Sequence, residues 1–79
     1  MSRTEILDKA ADKIREIFDD PGLEITESTT AADVEEWDSL EQINILVAME
    51  KLFGVKFSVG EVEGLRDVGE LVSLIESKF

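Results

Sequence analysis

The sequence places one local pattern at the start of four stretches in which apolar residues recur at helical spacing: a serine or aspartate followed three residues later by glutamate. The pairs are Ser2 and Glu5, Asp38 and Glu41, Ser58 and Glu61, and Asp67 and Glu70. In this pattern the first side chain accepts a hydrogen bond from a free backbone N–H of a helix's first turn, and the glutamate places negative charge at the positive end of the helix. A chain of 79 residues with four helix starts has little room for other elements, so the pattern predicts an all-α fold.

Apolar residues at spacings of three and four follow these signals and set the predicted extent of each helix. The predicted elements are helix one over 3–19, helix two over 39–53, a brief helix three over 58–63 and helix four over 67–78. Residues 20–37 lack this period and are predicted to form a long loop. Residues 55–59 alternate as a short strand would, but the chain offers no partner strand. We therefore expect a small four-helix bundle, with three main helices and one short helix, forming one domain over residues 1–79.

Charge and composition exclude several classes of function. The chain has 8 Lys and Arg against 19 Asp and Glu, for a net charge of −11, and it contains neither cysteine nor histidine. This charge disfavours binding to nucleic acid or anionic lipid, and the missing residue types remove disulfides, zinc sites and most nucleophilic catalysis. A calcium loop built from Asp33, Glu35 and Asp38 would lack the turn glycine and the final glutamate. We expect no bound metal and no catalytic residues.

No targeting segment is evident in the sequence. No apolar run approaches the ~20 residues of a membrane span. The first residues lead directly into a polar helical pattern rather than a signal peptide. We therefore expect a cytoplasmic protein, most simply a monomer.

Helix two carries apolar side chains on two opposite sides at 100° per residue. One side gathers Ile45, Met49, Leu52 and Phe53, and the other gathers Leu40, Ile43 and Val47. A central helix buried on both sides is one interpretation, but three other helices, one of them very short, can hardly cover both. We therefore predict that the second side is an exposed docking surface, with the acids Glu41 and Glu50 beside it.

The acidic residues are concentrated in the middle of the chain. Between Arg15 and Lys51 there is no basic residue, whereas eleven acids fall in that interval. A charge run of this kind can be a simple solvated face. Combined with an exposed apolar surface, it favours electrostatic steering toward basic partners. An acidic helical adaptor without a prosthetic group would also fit these features.

The segment Glu36-Trp37-Asp38-Ser39-Leu40 follows the acidic loop and opens helix two. It closely resembles the modification site of acyl carrier proteins, whose signature is Asp-Ser-Leu. The resemblance continues through Met49-Glu50, Phe53-Gly54 and Val68-Gly69-Glu70-Leu71, and so covers essentially the whole chain. It implies that Ser39 carries a 4'-phosphopantetheine arm, whose thiol holds acyl groups as thioesters, and that Asp38 helps to present the site.

The same resemblance implies the partners. A phosphopantetheinyl transferase would install the arm, and an acyl ligase, acyltransferase or synthase with a basic docking patch would exchange the cargo. Four positions depart from the common fatty-acid carriers: Glu36 and Trp37 replace the usual glycine and small residue, Asn44 replaces an acid, and Lys51 adds a positive charge. These departures favour a specialised carrier in a lipid or secondary-metabolite pathway.

An acyl chain on Ser39 would leave each methylene in water at a cost of ~0.8 kcal/mol, so a long chain is expected to slip between the helices. The predicted walls of that acyl cavity are Ile45, Met49, Leu52, Val62, Leu71 and Ile75. A small polar acid would instead remain outside.

Overall fold

The structure, a computed structural model of residues 1–79, contains helices and no strand. The helices are α1 (Arg3–Ile17), α2 (Ser39–Phe53), α3 (Val59–Val62) and α4 (Val68–Glu76), with one turn of 3-10 helix at Ala31–Asp33. The predicted all-α bundle of three main helices and one short helix is therefore confirmed. None of these helices has the length and apolar character needed to cross a membrane.

Each of the four helices begins at the residue after its predicted cap, so α3 and α4 start one residue later than the predicted 58 and 67. The cap side chains of Ser2, Asp38, Ser58 and Asp67 accept hydrogen bonds from the backbone N–H groups of Glu5, Glu41, Glu61 and Glu70. Gly54 ends α2 in the left-handed conformation, at φ 67°. Local sequence therefore determines the helix starts, because each cap satisfies an N–H group that the helix itself leaves free.

Three helices are shorter than predicted. Helix three was expected over 58–63, but α3 spans only Val59–Val62. Helix one was expected to reach residue 19, but α1 ends at Ile17 because Asp19 adopts a left-handed conformation, at φ 52°, that breaks the helical path. Aspartate tolerates this region better than most residues. The last was expected to run to residue 78, but α4 ends at Glu76, and the hydroxyl of Ser77 donates to the carbonyl of Leu74 at 2.6 Å. The residues that follow α4 form a turn.

The core lies where the three long helices meet. Its completely inaccessible side chains are Ile6, Ala10, Ile14, Ile45, Met49, Val72 and Ile75. Phe53 on α2 adds an edge-on contact with Phe79, at 6.4 Å between ring centroids. The long loop contributes Ile25 and Val34, both buried, so this segment packs on the helices.

Backbone hydrogen bonds attach the loop to the start of α4. The N–H of Gly69 donates to the carbonyl of Glu27 at 2.7 Å, and the N–H of Val68 donates to the carbonyl of Thr29 at 2.9 Å. The hydroxyl of buried Thr29 accepts from the N–H of Thr26 at 2.8 Å. Because a Cβ at position 69 would lie only 2.9 Å from the carbonyl oxygen of Glu27, this approach requires glycine.

Arg3 joins α1, the loop and α4 through a single guanidinium. Its Nη2 donates to Glu27 Oε1 at 2.6 Å and to the carbonyl of Gly69 at 3.0 Å. Its Nη1 donates to Ser73 Oγ at 2.9 Å and to Glu76 Oε1 at 3.2 Å. The hydrogen bond between Arg3 and Glu27 raises the pKa of the arginine and lowers the pKa of the glutamate.

Replacing Gly69 with alanine is expected to destabilise the fold by about 1–3 kcal/mol, because the loop backbone must move away from the added methyl group. The matched control is Gly60→Ala. No atom lies within 4 Å of a Cβ at that position, so alanine there is expected to stabilise the protein by about 0.5–1 kcal/mol. Urea unfolding of both variants measures the two changes. Equal effects at the two sites would contradict the close packing at Gly69.

The ion pair of Glu27 with Arg3 predicts a specific pH dependence. Because the pair lowers the pKa of Glu27, its stabilisation is present above the unfolded-state value of about 4.3 and is lost as pH falls through the lower folded-state value. The melting temperature of Glu27→Gln should therefore lie below that of the wild type at pH 7, and the gap should close below about pH 4. Glu24→Gln, at an exposed position, is the control. A gap that persists in acid would mean that the carboxylate charge does not matter.

Candidate functional site

Ser39 is the first residue of α2 and lies on the surface. Asp38 immediately before it caps the helix, and its Oδ1 accepts from the N–H of Glu41 at 2.9 Å. The first-turn N–H groups of a helix and its positive dipole end tolerate a neighbouring phosphate. The hydroxyl of Ser39 therefore lies in solvent at the positive end of α2, where a negatively charged group would stay hydrated.

A groove of about 510 Å³ opens beside Ser39. It is lined by Thr29, Ala31 and Trp37 from the loop, by Asp38, Ser39 and Gln42 from the start of α2, by Val62, Glu63, Leu65 and Arg66 around the end of α3, and by Asp67, Val68 and Leu71 from the start of α4. Both apolar and polar side chains line it. The groove therefore offers contacts both to an apolar chain and to a polar group attached at Ser39.

Trp37 forms part of the groove wall and also packs over the start of α2. Its indole Nε1 donates to Gln42 Oε1 at 2.6 Å. Its ring lies 5.9 Å from that of Phe18, with a tilt of 48° between the planes. Trp37 can therefore pack against α2 and Phe18 and, on its groove side, contact a group attached at Ser39.

The opposite wall of the groove depends on α3, which has only four residues. Glu61 on this helix accepts from Lys78 Nζ at 2.6 Å and from the N–H of Ser58 at 2.8 Å. Both contacts lower the pKa of Glu61, with Lys78 the larger cause. The chain end and the cap thus hold a helix that is too short to be stable alone.

The outer side of α2 is exposed, as the sequence predicted. Leu40 is 65% exposed, Ile43 58% and Val47 42%. The two predicted acids differ in their surroundings. Glu41 accepts from Asn44 Nδ2 at 3.2 Å on the helix surface, whereas Glu50 Oε2 accepts from the backbone N–H of Phe57 at 2.8 Å. Glu50 therefore holds the chain that follows α2 and is less available to a partner than the sequence suggests.

The placement of Leu52 on the core side of helix two needs correction, because this side chain is 42% exposed. Leu52 lies in a second groove, of about 520 Å³, between α1 and α2. This groove is lined by Lys13, Ile17, Asn44, Val47, Ala48, Lys51 and Leu52. It continues the exposed apolar side of α2 toward α1. Two lysines border it, so the surface is less uniformly acidic than the sequence implied.

The remaining predicted cavity residues fall into two groups. Ile45, Met49 and Ile75 are fully buried in the core and do not line the groove beside Ser39, whereas Val62 and Leu71 do. Among the lining residues that sequence reasoning missed are the polar residues Thr29, Gln42 and Arg66. Gln42 follows Ser39 by three residues on α2 and could have been found from helical spacing, whereas Thr29 and Arg66 reach the groove only when the loop and the start of α4 pack together.

The sequence is similar to a family model and to proteins of known function. The family model described as "Phosphopantetheine attachment site" matches residues 8–75. The acyl carrier protein of Thermotoga maritima is 34% identical over 78 residues, which is 99% of this chain and 96% of that protein. The acyl carrier protein of Acidothermus cellulolyticus is 33% identical over 75 residues, covering 95% of this chain and 89% of that protein.

The fold of this chain is also similar to that of a solved acyl carrier protein. A solution NMR structure of a holo acyl carrier protein from Geobacter metallireducens superposes with a TM-score of 0.86 at 37% identity. It covers 92% of this chain and 84% of that chain. Similarity in sequence and in structure therefore extends over nearly all of the residues that form the helices and the groove.

Proposed function

This chain belongs to the acyl carrier protein family, and from that membership we propose that Ser39 is the residue that holds the prosthetic arm. As a member of this family the protein is a carrier rather than an enzyme, and its cofactor is covalent 4'-phosphopantetheine. When attached, the arm supplies the thiol that bears an acyl group. The chain's own residues position the arm and present it to partner enzymes.

The single observation that carries the assignment is the location of Ser39 compared with the other serines. Ser2 and Ser58 cap helices, and the hydroxyl of Ser73 accepts from Arg3. Ser77 donates to a backbone carbonyl. Ser39 alone among the serines lines the groove, and it is exposed at the start of a 15-residue helix. It is therefore the serine best placed to receive a phosphodiester and to leave room for the arm.

Incubation with coenzyme A, Mg²⁺ and a broad-specificity phosphopantetheinyl transferase tests this assignment. The wild type and the control Ser28→Ala should gain the mass of one arm, whereas Ser39→Ala should remain unmodified and keep the wild-type melting temperature. Intact-mass spectrometry and thermal melting give both readouts. An unmodified wild type, or a Ser39→Ala protein that still gains the arm, would refute it.

We further propose that the exposed side of α2 is the docking face for partners, namely the transferase and the enzymes that load and unload the arm. Leu40, Ile43 and Val47 form its apolar centre, and Asp38 and Glu41 provide negative charge near the arm. A basic patch on the partner complements that end of the face. Because apolar side chains at the centre of an interface carry much of its energy, Ile43 is its expected hot spot.

Ile43→Ala is expected to weaken binding to the transferase by about 1–2 kcal/mol with little loss of stability. Ile45→Ala is the matched control, since it makes the same change two residues away at a position with no exposed surface. It should cost about 2–5 kcal/mol of unfolding free energy. Calorimetric titration and urea unfolding measure the two quantities. If Ile43→Ala lost as much stability as Ile45→Ala, the outer side of α2 would be a packing surface.

The departures from common carriers support a specialised pathway, in lipid or secondary metabolism, with the chain acting as one monomeric, cytoplasmic carrier domain. An acyl tail leaving water would enter by the groove, where Val62 and Leu71 already lie. Leu71 belongs to the same core cluster as Ile45, Met49 and Ile75. These five side chains form the acyl-binding region that we propose, without Leu52.

A further inference from the structure

We propose that Arg66 binds an anionic group carried on Ser39, within the groove that both residues line. The anion is an oxygen-bearing group of one of two kinds: the phosphodiester of the arm, or a carboxylate at the free end of a short acyl cargo. This inference rests on the attachment proposed at Ser39. It adds a specificity-determining contact on the opposite side of the groove.

Arg66 is the only basic residue in the lining of the groove. The three acids there differ in their availability. Asp38 and Asp67 cap α2 and α4, where each Oδ1 accepts a backbone N–H at 2.9 and 2.8 Å respectively, whereas Glu63 is exposed. Two of the three carboxylates are thus already held by helix ends, and the guanidinium is the one cationic side chain in the groove lining.

The guanidinium of Arg66 also has no ion-pair partner. The other two arginines are paired, Arg3 with Glu27 and Glu76, and Arg15 with Asp12. Arg66 forms no ion pair in a chain that contains 19 acidic residues. Its backbone N–H donates to Glu70 Oε1 at 3.2 Å, which fixes the base of the side chain at the start of α4. The side chain is therefore anchored beside the groove while its charged end remains free.

A negatively charged group attached at Ser39 would be attracted to this free guanidinium. A phosphodiester on Ser39 would add negative charge to a chain that already carries −11, directly beside Asp38. A guanidinium offers paired N–H donors that match phosphate and carboxylate oxygens, and its charge reduces that repulsion. Arg66 is exposed, so the attraction is modest and weakens with added salt. This attraction holds one end of the attached group against the groove wall, and it thereby selects among acyl cargoes.

The experiment compares four forms of the protein by NMR. The forms are the unmodified protein, the protein with the free arm, and the butyryl and succinyl forms, which have four-carbon acyl groups that differ in a terminal carboxylate. Coenzyme A thioesters and a broad-specificity transferase supply them, and intact mass confirms each loading. The side-chain Nε–Hε signal of Arg66 and the amides of Val62 and Leu65 are the readouts.

If the phosphodiester is the anion, these signals shift when the free arm is attached and stay unchanged between the butyryl and succinyl forms. If the cargo carboxylate is the anion, they shift between butyryl and succinyl. In either case Arg66→Gln should lose the response of the Val62 and Leu65 amides, and 0.5 M salt should reduce it in the wild type. The control Lys56→Gln removes one positive charge outside the groove and should retain the full response.

An Arg66 Nε–Hε signal that is unchanged in all four forms would overturn the proposal. The proposal would also be overturned if Lys56→Gln lost the amide response as fully as Arg66→Gln, because the response would then depend only on the net charge of the protein. Loading that succeeds without any response at Arg66 refutes this contact alone and leaves the attachment at Ser39 intact. Failure of loading in the mass spectrum refutes the attachment, and this inference falls with it.

Discussion

The contact between the loop and the start of α4 determines where the rest of the site lies. The carbonyl of Glu27 accepts from the N–H of Gly69 at 2.7 Å, closer than any residue with a Cβ would allow. Arg3 adds a guanidinium bridge from α1 to both sides of this contact. A loop attached in this way brings Thr29 and Trp37 to the groove and sets the point from which α2 begins. The position of Ser39 thus depends on backbone packing far from it in sequence.

The division of α2 into a buried and an exposed side follows from the size of the chain. A domain of 79 residues buries a smaller share of its surface than a larger one, and here the interior is filled by one side of each long helix. Ile45 and Met49 complete that interior, while Leu40, Ile43 and Val47 remain in solvent. The protein can therefore present apolar groups to a partner without loss of its own core.

The few basic residues have distinct structural uses. Arg3 holds the loop and α4, and Lys78 holds α3 through Glu61 at 2.6 Å. Both are tertiary contacts that join distant parts of the chain, so these cations counter the self-repulsion of an acidic domain where the elements meet. Lys51 and Arg66, which form no ion pair, lie at the two grooves. These four of the eight basic residues thus lie either at contacts between distant segments or at a groove.

The amino-acid sequence by itself determined the helices, their starts and the serine that stands at the head of α2. These features are local, because a cap such as Asp38 acts within three residues and an apolar period is read within a few turns. Local signals also indicated the exposed side of α2, since the chain is too short to cover it. Family resemblance then pointed to Ser39.

Only the tertiary structure decided which residues surround that serine. Thr29 and Arg66 lie outside α2 and have no spacing from Ser39 that a sequence pattern could reveal, whereas Gln42 follows Ser39 by three residues on the same helix. Leu52 has the rotation of a core residue on a helical projection, yet it is exposed beside α1, because the projection does not contain the position of the neighbouring helix. A groove is a property of distances between elements, and those distances are set by packing rather than by local conformation.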